Sequence, residues 1–268
     1  MFSALRHRRA RMLITKAKDD WFLAIQNLSP NTRQYYHRAI TNFIKELPDK
    51  YISSITSADI HNYLNKFAWG RKNSSLNTHI VAIKSWFRFL SESYDIPNIT
   101  IGLKKRKEKM PHRPFISKKE LELVLSKATQ REKDVILMLA HTGMRCSELA
   151  NLRPENISPN LSSITIQGKG GKIRTIPCNQ TVKEVLSRSI NFPKNRKSIY
   201  NTCRQAGMRL SCQVSPHMLR RFFATQLLNA GVSLLIISRL LGHSSVQTTE
   251  RYLCLDSSYL IGATDVLD

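Results

Sequence analysis

Ser215-Pro216-His217-Met218-Leu219-Arg220-Arg221-Phe222-Phe223-Ala224-Thr225 opens on a small polar residue and a proline, then runs with helical periodicity. A serine ahead of a proline is a helix start: the hydroxyl caps an exposed N–H, and proline is tolerated in the first turn because its missing N–H has no partner there anyway. His217 and Arg220 are three residues apart and share a face. Leu219, Phe222, Phe223 and Leu227 face a core. A helix start directs backbone N–H groups and partial positive charge at an anion. Arg220 could grip two oxyanion oxygens through its planar fork, and His217 could exchange a proton near neutral pH. Taken alone, His-x-x-Arg is a weak signal that recurs by chance.

Four more segments of the same half carry chemistry-bearing residues. Arg145 follows Thr142-Gly143, a glycine that ends an apolar helix and turns the chain. Glu148, three residues on, could pin it; the bland alternative is a surface ion pair worth less than ~1 kcal/mol. Lys169 lies in Gly168-Lys169-Gly170-Gly171-Lys172, between two short alternating segments at 162–166 and 173–176 that read as a hairpin. A lysine between glycines on a hairpin tip can swing into a groove, although most such lysines are plain turn residues. His243 follows Leu241-Gly242, just past a helix end. Tyr252 sits in Thr248-Thr249-Glu250-Arg251-Tyr252; its phenol, with a pKa near ~10, is a weak nucleophile unless cations or a base assist.

The 268 residues suffice for two domains. The chain holds 42 Lys+Arg against 19 Asp+Glu, a formal charge of +23. The excess is shared: residues 1–110 carry 20 basic and 8 acidic side chains, and residues 111–268 carry 22 and 11. A polyanion is the expected partner, met by both halves. Five dispersed cysteines (146, 178, 203, 212 and 254) show no metal-ligand spacing, and their odd number argues against a disulfide framework. No apolar run approaches the ~20 residues of a membrane span, so no membrane partner is expected. The basic N-terminus superficially resembles a transit peptide, but it lacks the serine richness and reads better as an anion-contacting arm.

Residues 12–95 read as four helices with no convincing strand, a small bundle. The inward sets are Leu13, Ala17, Trp21, Ala24 and Ile25; Tyr36, Ile40, Phe43 and Ile44; Ile60, Tyr63, Leu64 and Phe67; and Ile80, Ile83, Trp86, Phe87 and Leu90. Arg33, Arg38, Arg71, Lys72, Lys84 and Arg88 interleave with these stripes. Residues 103–114 include Lys104, Lys105, Arg106 and Lys107 and two prolines, with too little apolar content to bury: an extended basic linker. A second domain starts at 115, where Ser117-Lys118-Lys119-Glu120 has the capping-box form. Residues 131–142 read as a buried helix. After Pro177 the pattern is helical, with breaks at Pro193, Ser215-Pro216, Gly231 and Gly242. The expected architecture is mainly α with a small β-hairpin: an N-terminal helical domain at 1–102, the linker at 103–114 and an α+β domain at 115–268.

Taken together, Thr142–Leu149, Ser215–Thr225, Leu240-Leu241-Gly242-His243-Ser244-Ser245 and Thr248–Tyr252 resemble the conserved boxes of the tyrosine recombinase (phage integrase) family. The resemblance covers about residues 12–260, and all six expected functional residues occur in order. It implies a core-binding domain and a catalytic domain forming a clamp on DNA, and a site-specific recombinase that cleaves and rejoins DNA through a 3′-phosphotyrosyl link. Tyr252 would be the nucleophile. Arg145, Arg220 and His243 would stabilise the transition state, Lys169 would be the general acid, His217 would assist proton transfer, and Glu148 would support from behind. The basic residues of the first domain and linker would contact DNA. No cofactor or metal is implied. The partner would be double-stranded DNA at specific sites, bound by a homo-tetramer across two paired sites, with or without a second recombinase or accessory protein, in the prokaryotic cytoplasm at the nucleoid.

No arm-type DNA-binding domain is evident ahead of residue 12, which resembles the Xer-like and small mobile-element recombinases more than large phage integrases. The apolar tail (Leu255, Tyr259, Leu260, Ile261, Val266, Leu267) would dock on a neighbouring protomer in such a family, or pack on its own domain. Two rivals use the same residues differently: an idle DNA-binding protein of recombinase descent, which would have no reason to keep all six polar groups, and a type IB topoisomerase-like relaxing enzyme.

Overall fold

The computed structural model describes residues 14–47, 51–108, 116–168, 171–188 and 191–242. It divides into two compact units, residues 1–112 and 113–268.

Among the described residues of the first unit, four helices enclose one core: α1 (Ile14–Ala24), α2 (Pro30–Lys45), α3 (Ser57–Ala68) and α4 (Asn73–Tyr94). A single 3-10 turn, Ile52–Ser54, precedes α3. Their starts are written locally. The Ser29 hydroxyl accepts the Thr32 N–H, and Thr56 and Asp59 cap α3 reciprocally. Trp21, Ile40, Phe43, Ile83, Trp86, Phe87 and Leu90 are buried, while Tyr36, Ile44 and Phe67 are only partly covered. Ala24, expected inward, is exposed; Ile14 instead joins Ala17, Trp21 and Ile25 on the buried face. Helix α4 packs against each of the other three.

The basic stretch after Leu103 is tied to this unit. The buried Asn77 amide donates to the Arg106 carbonyl at 2.9 Å and accepts the Arg106 N–H at 2.8 Å, as a second strand would. Asn77 also donates to Glu108 Oε1, and Asn73 donates to the Lys107 carbonyl, both at 2.8 Å. Lys84 Nζ donates to the Leu103 carbonyl. Residues 103–108 therefore run along α4 in a fixed register, with Lys104, Lys105, Arg106 and Lys107 exposed.

The second unit contains α5 (Lys118–Lys127), α6 (Gln130–Thr142), the short α7 (Cys146–Ala150), the strands β1 (Ser163–Gln167) and β2 (Ile173–Pro177), then α8 (Gln180–Arg188), α9 (Arg196–Met208), α10 (Pro216–Asn229) and α11 (Leu234–Leu241). Helix α6 is central: Val135, Ile136, Met138 and Leu139 are buried, and it packs against α5, α7, α8, α9 and α10. The Ser117/Glu120 capping box forms, and Thr129/Glu132 makes another at the start of α6. Glu132 and Asp134 are held beside the core by ion pairs to Arg209 and Arg188. The strands pair antiparallel, from Ser163 opposite Pro177 to Gln167 opposite Ile173. Ile164, Ile166 and Ile176 face the core, Ile173 faces solvent, and β2 abuts α11. The fold is thus mainly helical with a two-stranded sheet; β1 is shifted one residue towards the C-terminus of the expected 162–166, and β2 runs one residue beyond the expected 173–176.

Candidate active site

Helix α6 ends at Gly143, whose φ of 62° suits glycine. Space demands it as well: a Cβ there would stand 2.5 Å from Phe223 Cδ1 and 2.9 Å from Leu241 Cδ2. This close approach brings the middle of α10 and the end of α11 against the chain leading into Arg145.

Arg145 is the N-cap of α7. Glu148 Oε2 accepts the Arg145 N–H at 2.7 Å, and Arg145 Nη1 donates to Glu148 Oε1 at 2.8 Å. The expected pin exists, and it is not a surface ion pair, because Glu148 is only 7% exposed. Its carboxylate takes a second cation. Arg174 on β2 donates Nη1 to Oε1 at 2.9 Å and Nη2 to Oε2 at 2.8 Å, a planar fork on a planar acceptor. Burial alone would raise the Glu148 carboxyl, but the Arg174 hydrogen bonds, the Arg145 N–H and the adjacent charges outweigh it and hold it down at about 2. Glu148 is therefore an anion fixed between two arginines.

Arg220 is 2% exposed. It rises from α10, where the Ser215 hydroxyl caps the Met218 N–H and Pro216 occupies the first turn. Its Nη1 donates to the Gly143 carbonyl and its Nη2 to the Leu241 carbonyl at 2.6 Å. Arg174 Nε donates to the neighbouring Leu240 carbonyl at 2.7 Å. These are carbonyls of the last turn of α11, which have no partner within the helix and sit at its negative end. Gly242 then turns the chain at φ 64°, with Arg174 so near that a Cβ would stand 2.9 Å from its Nη1.

Arg145, His217 and Arg220 line one cleft together with Met144, Cys146, Ser147, Arg196, Tyr200, Ser215 and Pro216. His217 is exposed at the mouth, in the first turn of α10. A neighbouring cleft is lined by Arg145, Ser147, Glu148 and Gly168, so the turn after β1 starts beside the same carboxylate. Lys169, His243 and Tyr252 lie outside the described residues, as do Tyr259 and the apolar tail; Gly168 and Gly242 are the neighbours that the structure describes. The cleft offers three guanidinium groups, an imidazole and a helix start to one anionic group. That combination suits a phosphodiester.

Three participants escaped the sequence reading. Arg196 and Tyr200, four apart on α9, line the cleft, and nothing local marks them out. Arg174 did leave a signal: it lies two residues before the buried Ile176 and opposite the buried Ile166, so strand alternation puts an arginine on the core face, where it needs an acid.

The basic residues of the first unit differ in availability. Arg38 and Arg88 are exposed, with Arg38 over the Tyr35 ring. Arg71 lies over the Phe67 ring at 4.3 Å, and Lys72 is the N-cap of α4. Arg33 donates to Gln26, and the Lys84 ammonium is engaged by Leu103.

Comparison with known proteins agrees with this geometry. Residues 114–258 match the phage integrase family, and residues 19–94 match the phage integrase N-terminal SAM-like domain. Tyrosine recombinase XerA of Pyrococcus furiosus is 30% identical over 269 residues, covering 91% of this chain and 90% of its own. Tyrosine recombinase XerD of Oceanobacillus iheyensis is 28% identical, covering 86% and 90%. Among solved structures, a lambda integrase dimer bound to a COC' core site superposes with a TM-score of 0.79 at 18% identity, over 94% of this chain and 80% of that one. A lambda integrase tetramer bound to a Holliday junction gives 0.75 at 18% identity, over 87% and 78%. The arginine-rich cleft thus sits in a chain that belongs to the phage integrase family, the tyrosine recombinases, which cut and rejoin DNA at specific sites.

Proposed function

We propose that the cleft performs strand exchange through Tyr252. The phenolic oxygen attacks the scissile phosphorus, the bond to the 5′-oxygen breaks, and a 3′-phosphotyrosyl link forms. The phenol proton passes to His217, and Lys169 donates a proton to the leaving 5′-oxygen. Arg145, Arg220 and His243 stabilise the charge that gathers on the non-bridging oxygens; pre-placed charge of this kind is usually the largest catalytic contribution. A 5′-hydroxyl from another strand then reverses the sequence. The phosphodiester energy stays in the covalent link, so neither a nucleotide nor a metal ion has a required role.

The observation that carries this reading is that Arg145 and Arg220, 75 residues apart in the chain, meet at one cleft with His217. The partner is double-stranded DNA at specific sites. Both units are basic, and they grip one duplex through the core-binding domain (1–102), the basic segment (103–114) and the catalytic domain (115–268). Arg33, Arg38, Arg71, Lys72, Lys84, Arg88 and Lys104 to Lys107 contribute phosphate contacts, with the engaged Arg33 and Lys84 the weakest among them. Four protomers act on two paired sites.

Covalent capture on a nicked suicide substrate tests the chemistry. Tyr252→Phe should abolish capture while leaving binding intact, Tyr259→Phe should capture normally, and excess EDTA should leave wild-type capture unchanged. Capture by Tyr252→Phe, or its loss in Tyr259→Phe alone, would overturn the assignment of the nucleophile.

A further inference from the structure

We infer that Arg174 is a positioning residue for strand cleavage, the group that holds three parts of the catalytic apparatus in one register. This inference rests on the recombinase reading above. The guanidinium satisfies two elements at once. Nη1 and Nη2 clasp Glu148, which in turn clasps both the backbone and the side chain of Arg145. Nε takes the Leu240 carbonyl, two residues before Gly242 and three before His243. The residue itself is the second of β2, the strand that leaves the 168–172 turn holding Lys169. One rigid cation therefore connects the first arginine box, the turn with the proposed acid, and the helix end that leads to His243. Its side chain is 9% exposed and all three of its guanidinium nitrogens donate to protein acceptors.

Lysine cannot replace it. An ammonium is a point donor on a flexible stem and cannot reach the Glu148 carboxylate bidentately and the Leu240 carbonyl together. Arg174→Lys keeps the charge and loses the register. Misplacement of a catalytic group by about an ångström costs about 100-fold in rate. Glu148→Gln breaks the same clasp from the other side.

The full chain and both variants are assayed by gel shift, by single-turnover covalent capture at a temperature where each is folded by circular dichroism, and by capture on a 5′-bridging phosphorothioate, whose leaving sulfur needs no proton. The expected result is DNA binding within about twofold of wild type and capture slowed by roughly 10- to 100-fold, as ångström-scale misplacement predicts. The ratio of the phosphorothioate rate to the oxygen rate should rise, because Lys169 has lost its register. The phosphorothioate rate itself should stay below wild type, because Arg145 has moved too. A purely structural arginine would lower the melting temperature and leave that ratio unchanged. The double variant should be no slower than the slower single one, because both break one unit. Should Arg174→Lys not fold, the Glu148→Gln ratio decides by itself. Wild-type capture rates and ratios in the folded variants, or full additivity, would overturn the assignment of Arg174 alone. Absence of any adduct from the wild-type chain would overturn the recombinase reading, and this inference with it.

Discussion

Arg174 and Arg220 donate to adjacent carbonyls, Leu240 and Leu241, in the last turn of one helix. The two arginines come from a strand and from a helix start, and each reaches back to the segment around Arg145: Arg220 through the Gly143 carbonyl, and Arg174 through Glu148. The end of α11 is thereby fixed relative to both residues that flank the first arginine of the cleft.

The proton donor can be separated from the charge stabilisers. Lys169→Ala should cleave ordinary DNA slowly, by roughly the 10²- to 10⁴-fold that general acid catalysis contributes. A 5′-bridging phosphorothioate should restore most of that rate. It should not restore Arg220→Ala, whose defect is in neutralising oxyanion charge. Single-turnover capture on both substrates checks this, and equal rescue of the two variants would remove Lys169 from its role.

Gly143→Ala should be costly out of proportion to one methyl group. It meets both a left-handed backbone and the side chains of Phe223 and Leu241. A loss of about 1–3 kcal/mol in denaturant titration is expected from overpacking together with the unfavourable φ. Because Leu241 must shift, taking a carbonyl from Arg220, cleavage should fall even where the variant is folded. Wild-type stability would mean that the α10–α11 packing yields freely.

Asn77→Ala tests the tether. Removal of a buried side chain that makes three hydrogen bonds to Arg106 and Glu108, the Arg106 N–H included, should lower stability by about 1–3 kcal/mol. Binding of DNA should weaken several-fold, because the cations at 104–107 must now be ordered at the moment of binding. The dependence of affinity on salt should keep its slope, since the number of phosphates neutralised is unchanged. A shallower slope would instead mean that those cations had left the duplex.

Acid should act on the two units in different ranges. In the first unit, burial, assisted by the Arg38 and Arg71 charges, holds the His79 imidazole at about 4, and its Nδ1 is bonded to the Tyr63 hydroxyl. The unfolded chain takes up that proton at higher pH than the folded one. Stability from neutral His79 is therefore present above the ordinary imidazole range and is lost as pH falls towards about 4. Glu148 is depressed to about 2, so its contribution is present above the ordinary carboxylate range and is lost as pH falls towards that value. Unfolding free energies measured against pH should show His79→Phe flattening the upper range and Glu148→Gln the lower. An unchanged upper range in His79→Phe would show that this imidazole titrates alike in both states.

What was legible in the sequence follows the range of the interactions. Helix starts at Ser117 and Ser215 were readable because cap and partner lie within three residues. Hydrophobic spacing likewise gave the buried faces of α2, α3 and α4. Ala24 was misjudged because the buried stripe runs through Ala17, Trp21 and Ile25 and is narrower than the apolar spacing suggests. The hold of Asn77 on Arg106 spans 29 residues and joins a helix to chain with no regular structure, so composition alone read that chain as an extended linker and gave no sign of the tether. Arg145, His217 and Arg220 were recognisable from the boxes around them. Their mutual support was not, because it passes through main-chain carbonyls, which look alike in every sequence.

The hydrogen bonds of Arg220 span 77 and 21 residues, and those of Arg174 span 26 and 66. During synthesis, domains fold from the N-terminus as they emerge. The core-binding unit can therefore be complete, and able to find DNA, while the arginines of the cleft still lack the carbonyls that orient them. Two of those carbonyls, of Leu240 and Leu241, lie far downstream of the core-binding unit and leave the ribosome well after it. A chain halted before residue 240 thus lacks the acceptors that orient its arginines, and the capacity to cut appears only once α11 has docked on them.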